Sequence, residues 1–158
     1  DMKKEINDIL ELFLSQEETR NVQVKVDCND QVLLYTDLLR FRIILNNLVS
    51  NAFKYTQSFR DNPQISIVAK MTPQQVTLMV ADNGQGIEKQ YLPRIFDMFF
   101  RATNIAHGSG LGLYILKEAV DKVQARITVD STMGKGTTFT VFFPKIASGS
   151  TTGLYWVE

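Results

Sequence analysis

Apolar residues recur along this chain with two periods, one helical and one alternating, and the changes between them mark out its elements. Ile6, Ile9, Leu10, Phe13 and Leu14 return at helical spacing, which predicts a helix over Glu5–Thr19. Val22, Val24 and Val26 then alternate with polar residues, predicting a half-buried strand over Val22–Asp27; after an Asn29-Asp30 turn, a second short strand is expected over Gln31–Tyr35. Asp37 offers a side-chain cap to a long helix running to about Thr56. Gln64–Met71 and Gln75–Asp82 alternate again and, joined at Thr72-Pro73, read as a hairpin. Lys89–Phe96 reads as a short helix that Pro93 keeps irregular, Arg101–Gly108 as a loop and Gly110–Val123 as a helix. Strands over Arg126–Asp130 and Thr137–Phe143 follow, joined by a Met133–Gly136 turn. Helices interrupting paired strands predict a two-layer α/β sandwich on a mixed sheet.

Composition narrows what such a domain can do. The 158 residues suffice for one well-buried core, and 44% hydrophobic against 22% charged residues is ordinary globular usage. Seventeen basic residues balance seventeen acidic ones, so the accumulated positive charge of a nucleic-acid binder is missing and no nucleic-acid partner is expected. Cys28 and His107 are the only residues of their types, which removes an internal disulfide and a multi-histidine zinc site. No apolar run approaches the roughly 20 residues of a membrane span, and charged Asp1–Asn7 is followed by no apolar leader segment. A soluble piece suited to a reducing compartment is expected, with a domain over 1–146 and a linker or tail over 147–158. Ala147–Gly153 has linker composition, and Leu154-Tyr155-Trp156 is an isolated apolar group.

Four constellations carry candidate chemistry. On the long helix Asn47, Asn51 and Lys54 cluster within an arc of roughly 60° beside the apolar face. Amide oxygens suit a hard cation such as Mg²⁺ and the ammonium suits a phosphate, although any one of these residues alone reads better as part of a solvated helix face. Asp82-Asn83-Gly84-Gln85-Gly86-Ile87 follows an alternating strand: its glycines permit close approach of a ring, and its carboxylate accepts hydrogen bonds, for instance from an adenine amino group. The same residues also make an ordinary turn. Gly108-Ser109-Gly110-Leu111-Gly112-Leu113 opens a helix, where backbone N–H groups and the positive end of the dipole make an anion cradle. Ile95–Arg101 holds three phenylalanines that either anchor a lid, meet a partner helix or pack in the core, and Arg101 either reaches a phosphate or sits in water.

Taken in order these segments resemble the boxes of the histidine-kinase ATP-binding domain, in the superfamily that includes gyrase, Hsp90 and MutL. Asn47–Tyr55 resembles the asparagine box, Asp82–Gly86 the first glycine box and Phe96–Phe100 the phenylalanine box. Gly108–Leu113 resembles the second glycine box and Ser131–Phe139 the terminal one, so the match spans Glu5 to Pro144. The resemblance implies a Bergerat-type sandwich, a mostly antiparallel mixed sheet with helices on one face. It also implies Mg-ATP as cofactor, with Asn51 and Asn47 at the metal and Asn47, Lys54 and Arg101 as the catalytic set. By the same resemblance the nucleotide is held by Asn51, Lys54, Tyr55, Asp82, Gly84, Gly86, Ile87, Gly108, Gly110, Leu111, Gly112, Leu113 and Thr137. Thr103–Ser109 corresponds to a short ATP lid.

In the ATP-hydrolysing members the position of Asn47 usually carries a glutamate as general base, a role that an amide cannot fill. The resemblance therefore implies a protein-histidine kinase of two-component signalling rather than an ATPase. His107, in a loop before Gly108, does not match the phosphoacceptor, which implies a separate helical dimerisation domain as partner and a response-regulator receiver domain downstream. The expected setting is the cytoplasmic side of a membrane-bound sensor kinase, with the isolated domain monomeric. One departure is that Val123-Gln124-Ala125-Arg126 stands where the family often has a glycine pair.

Overall fold

The computed structural model describes residues 1–29, 31–57 (Gln57 by its backbone only), 60–101 and 110–145. The elements run α1 (Met2–Leu14), a 3-10 turn (Glu17–Thr19), β1 (Gln23–Cys28), α2 (Leu38–Gln57), β2 (Gln64–Met71), β3 (Gln75–Asp82), a second 3-10 turn (Lys89–Arg94), α3 (Gly112–Lys122), β4 (Arg126–Thr132) and β5 (Gly136–Pro144). The sheet order is β1-β2-β3-β5-β4. β1 and β2 run parallel and every other pair is antiparallel.

The alternation read in the sequence becomes one buried row per strand. Ile65, Ile67 and Ala69 of β2, Val76, Leu78 and Val80 of β3, and Phe139, Val141 and Phe143 of β5 are buried against the helices. α2 supplies the opposite surface with Phe41, Ile44, Leu45, Leu48, Val49, Ala52 and Phe53, an uninterrupted three- and four-residue rhythm. Phe41 meets Phe143 at 5.8 Å between ring centroids, and Phe13 of α1 stacks on Phe53 at 5.2 Å. The other sheet face carries more polar positions, and there the Arg126 guanidinium lies 4.1 Å from the centroid of Phe142. The expected two-layer sandwich is the architecture found.

Helix caps explain where the helices begin. Asp37 Oδ1 accepts the Arg40 N–H at 3.0 Å, which starts α2 where the sequence predicts. α1 begins earlier than predicted because Asp1 Oδ1 accepts the Lys4 N–H at 3.1 Å. It also ends earlier, at Leu14, since the Thr19 hydroxyl turns back to the carbonyls of Phe13 and Gln16 and tightens the next residues into a 3-10 turn. α3 starts at Gly112 rather than Gly110, whose φ of 75° is incompatible with a right-handed helix.

The strand expected over Gln31–Tyr35 is not formed. Val32 N–H donates to Asn29 O and Val32 O accepts the Met2 N–H, both at 3.3 Å. A turn and the first turn of α1 thus use that backbone, and among the described residues β2 is the only strand beside β1.

α3 ends in a Schellman arrangement, with Gln124 N–H on Asp121 O and Ala125 N–H on Val120 O, both at 3.0 Å. Its left-handed residue is Gln124, at φ 56°. A side chain there costs about 1 kcal/mol relative to glycine. Gln124→Gly is therefore expected to raise stability by about 1 kcal/mol, read as a higher urea midpoint at unchanged slope; an unchanged midpoint would show that the strain is relieved elsewhere.

Candidate functional site

Strand parity places the acid. Val76, Leu78 and Val80 face the helices, so Asp82, two residues on, faces them too, at the end of β3 and opposite Ile65 and Thr137. Burial pushes its carboxyl up to about 6, while the backbone N–H groups of Gly84 and Thr137 pull the other way. The Gly84 N–H reaches Oδ1 at 2.8 Å. Asp82 is therefore a half-buried acceptor, held in place and left without a countercharge among the causes of its shift.

The turn after β3 is fitted against α2 on one side and β4 on the other. A Cβ on Gly84 would stand 2.5 Å from Tyr55 O, and one on Gly86, at φ 76°, would stand 2.2 Å from Thr132 O. Gln85 N–H donates to Tyr55 O at 3.3 Å, and Gln85 O accepts the Gly134 N–H at 2.6 Å. Ser131 Oγ receives the Ile87 N–H at 2.8 Å and lies 2.8 Å from Thr137 Oγ1. Arg60 Nε donates to Asn83 O at 2.6 Å and its guanidinium also reaches Gly134 O, joining the end of α2 to both turns.

The polar arc of α2 faces the same space. Asn47 Nδ2 donates to Ile43 O at 2.8 Å, which turns Oδ1 toward α3, where a Cβ on Gly112 would meet it at 3.3 Å. Asn51 Nδ2 is buried without a partner among the described residues. Burial first, and then the nearby Arg101 guanidinium, hold the Lys54 ammonium below its usual range, and burial raises the Tyr55 phenol. Two cations, Lys54 and Arg101, thus stand close together at this wall.

The third wall comes from the segment before α3. Ile95 is buried, and Phe100 packs on Tyr91 at 5.9 Å and under Arg94 at 4.6 Å. Phe99, at φ 62°, donates its N–H to Gly110 O at 3.0 Å, and a Cβ on Gly110 would stand 2.7 Å from Phe99 C. Glycine at 110 lets the two backbones touch just before the N-terminus of α3.

These walls enclose a cleft of about 280 Å³. It brings together Asn47, Asn51, Lys54, Tyr55, Asp82, Gly86, Ile87, Arg101, Gly110, Gly112, Leu113 and Thr137 from the expected site. Gly84 and Leu111 are not on its surface: Gly84 makes room for the Tyr55 carbonyl, and Leu111 caps α3 by accepting the Ile115 N–H at 2.9 Å. Gly108 lies outside the described residues, as do His107, the rest of Thr103–Ser109, and the tail from 146 on.

Ser50, Gln85, Ile95, Phe100 and Phe139 line the cleft without having been singled out as ligand-binding residues. Ser50 carries a legible signal, three residues from Asn47 and four from Lys54 on one face. Phe139 carries none, because it belongs to the apolar row of β5.

The donor set also bears on a cation. Among the described residues no three His, Cys, Asp or Glu side chains cluster to hold a metal. Asn47 Oδ1, left open by the Nδ2 bond to Ile43, and the Asn51 side chain on the cleft wall offer neutral amide oxygens instead, which fits an ion that keeps waters and takes its remaining ligands from phosphates.

Residues 36–147 match the family model described as histidine kinase-, DNA gyrase B-, and HSP90-like ATPase. The chain belongs to this family. Its relatives include the sensor protein kinase GraS of Staphylococcus aureus strain Newman, 34% identical over 146 residues that make up 90% of this chain and 41% of that protein. The chain thus spans about two-fifths of the length of the curated relatives it matches. Among solved structures, a mycobacterial sensor histidine kinase, MprB, superposes with a TM-score of 0.77 at 25% identity, covering 91% of this chain and 95% of that one. The catalytic domain of histidine kinase ThkA superposes with a TM-score of 0.78 at 26% identity, covering 91% and 94%. The family resemblance carried by the five boxes is confirmed, and with it the histidine-kinase type of ATPase-family domain.

Proposed function

We propose that this domain binds Mg²⁺-ATP and passes the γ-phosphoryl group to a histidine on a separate, dimerising helical domain. The reading is carried by the lining of the cleft, which combines an acceptor carboxylate at the end of β3 with two cations and the N-terminus of a helix. Asp82 accepts from the adenine amino group, Gly86 and Ile87 lie along the base, and Thr137 stands beside Asp82. Lys54 and Arg101 neutralise phosphate charge, and Gly112 and Leu113, in the first turn of α3, line the same cleft, where a helix N-terminus favours an anion. Asn47 and Asn51 hold Mg²⁺, which supplies charge neutralisation on the phosphates when bound.

Asn47 cannot accept a proton, so water is not activated at that position and positioning makes up most of the catalysis. The partners this implies are the phosphoacceptor helices and, after them, a receiver domain bearing an aspartate. A cytoplasmic setting suits ATP chemistry; among the described residues no helix is long and apolar enough to cross a membrane. The domain is assigned to 1–146, with 147–158 as linker or tail, and is monomeric when isolated.

Calorimetric titration of Mg²⁺-ATP tests the reading. The chain is expected to bind one equivalent, and Asp82→Asn to weaken binding by roughly 100-fold, the size of a lost charge-assisted hydrogen bond. A folded chain that takes up no ATP would sink the proposal.

A further inference from the structure

Ser131 sits on β4 opposite Thr137, and its single hydroxyl proton has two claimants. Gly136 O lies 3.1 Å from its Oγ and Thr137 Oγ1 lies 2.8 Å away, while the Ile87 N–H donates to the same Oγ at 2.8 Å. A carbonyl can only accept, whereas a hydroxyl can do either. If Ser131 gave its proton to Thr137, the contact with Gly136 would go unmade, although Gly136 and Thr137 are both buried. If Ser131 donates to Gly136 and receives from Thr137, all three hydrogen bonds form. Hydroxyl protons follow the network that satisfies most groups, which selects the second arrangement.

We propose that Ser131 is a positioning residue for base selection: it draws the Thr137 hydroxyl proton away from the cleft, so that Thr137 meets a bound purine with lone pairs only. The inference rests on the reading of the cleft as an ATP site. Asp82, the register partner of Thr137 on β3, also only accepts when ionised. Two adjacent acceptors suit a 6-amino group, which donates two N–H bonds, and oppose a 6-oxo group at the same place. Ser131 is not among the residues that line the cleft, yet it sets the polarity of one that does. It also fixes Ile87, beside the base, through the Ile87 N–H.

The test is the ratio of dissociation constants for Mg²⁺-ATP and Mg²⁺-ITP, measured on the chain, Ser131→Ala and Ser131→Thr. The wild type is expected to prefer ATP. Ser131→Ala frees the Thr137 proton to meet a 6-oxo group and is expected to narrow that preference by about tenfold, and Ser131→Thr, which keeps the hydroxyl, is expected to restore it. General loosening of the turn would weaken both nucleotides together and leave the ratio in place. An unchanged ratio in Ser131→Ala, with wild-type ATP binding intact, overturns the wiring and leaves the ATP reading standing. Absence of ATP binding by the wild type overturns both. Should Ser131→Ala fail to fold, Thr137→Val takes its place: removing the acceptor is expected to narrow the ratio, and an unchanged ratio overturns the proposal.

Discussion

Asp82→Asn is expected to make the nucleotide-free domain more stable at pH 7.5, by about 2 kcal/mol, even as it removes the group assigned to the adenine. A carboxyl that titrates at about 6 when folded, against the usual 3.8, keeps its proton longer in the folded state than in the unfolded one. Stability contributed by this group is therefore whole below pH 3.8, falls as pH rises toward 6, and is fully lost above it. At 1.36 kcal/mol per pH unit the loss reaches about 3 kcal/mol, and partial exposure brings the expected figure to about 2. Asparagine carries no charge to desolvate and retains an oxygen for the Gly84 N–H. Urea unfolding of the two proteins should show the gap at pH 7.5 and close it near pH 4. A gap that stays constant with pH would mean that burial of the charge is not its origin. A functional carboxylate kept at a cost to stability is a common trade at binding sites.

The β4–β5 turn supports the other large effect, because it holds two glycines that differ in what surrounds them. Gly136, at φ 124°, lies where a Cβ would stand 2.0 Å from the Asp82 carbonyl oxygen and 2.9 Å from Asn83 Cα. Gly134, at φ 81°, has open space around its missing Cβ. Gly134→Ala is expected to cost about 1 kcal/mol, the left-handed strain alone. Gly136→Ala adds a backbone collision to a conformation that only glycine adopts freely, and a loss of about 4 kcal/mol or more is expected. It should also weaken ATP binding in whatever fraction remains folded, since the displaced atoms belong to Asp82 and Asn83. Equal costs at the two positions, read from denaturant midpoints, would remove the close approach as the reason for glycine at 136.

The hairpin of β2 and β3 was legible to the residue, because strict alternation fixes both the strands and the face each side chain takes. The same parity predicts that Asp82 points toward the helices, which makes one wall of the cleft readable from the sequence. Local pattern stops short where a tertiary partner decides. Val32-Leu33-Leu34 reads as a strand, but α1 takes one of its carbonyls and no strand among the described residues pairs with it. The helix begun by the second glycine box starts later than its glycines suggest, because Gly110 is taken up by contact with Phe99. At Val123–Arg126, where the family often has a glycine pair, the helix ends all the same, with glutamine in the left-handed position. Ser131 lies inside one of the family's boxes, yet its contact with the Ile87 N–H depends on a neighbour that no spacing rule brings near it.

β5 is the fifth strand along the chain and yet an interior strand of the sheet, lodged between β3 and β4. During synthesis β3 therefore waits with one edge unpaired until residues 136–144 have left the ribosome, together with the buried aromatics Phe139 and Phe143 that complete the core. A nascent chain stopped before that point has an exposed edge open to wrong partners. Thr137, the register partner of Asp82, and Phe139 arrive with the same strand, so the cleft is complete only when the sheet is.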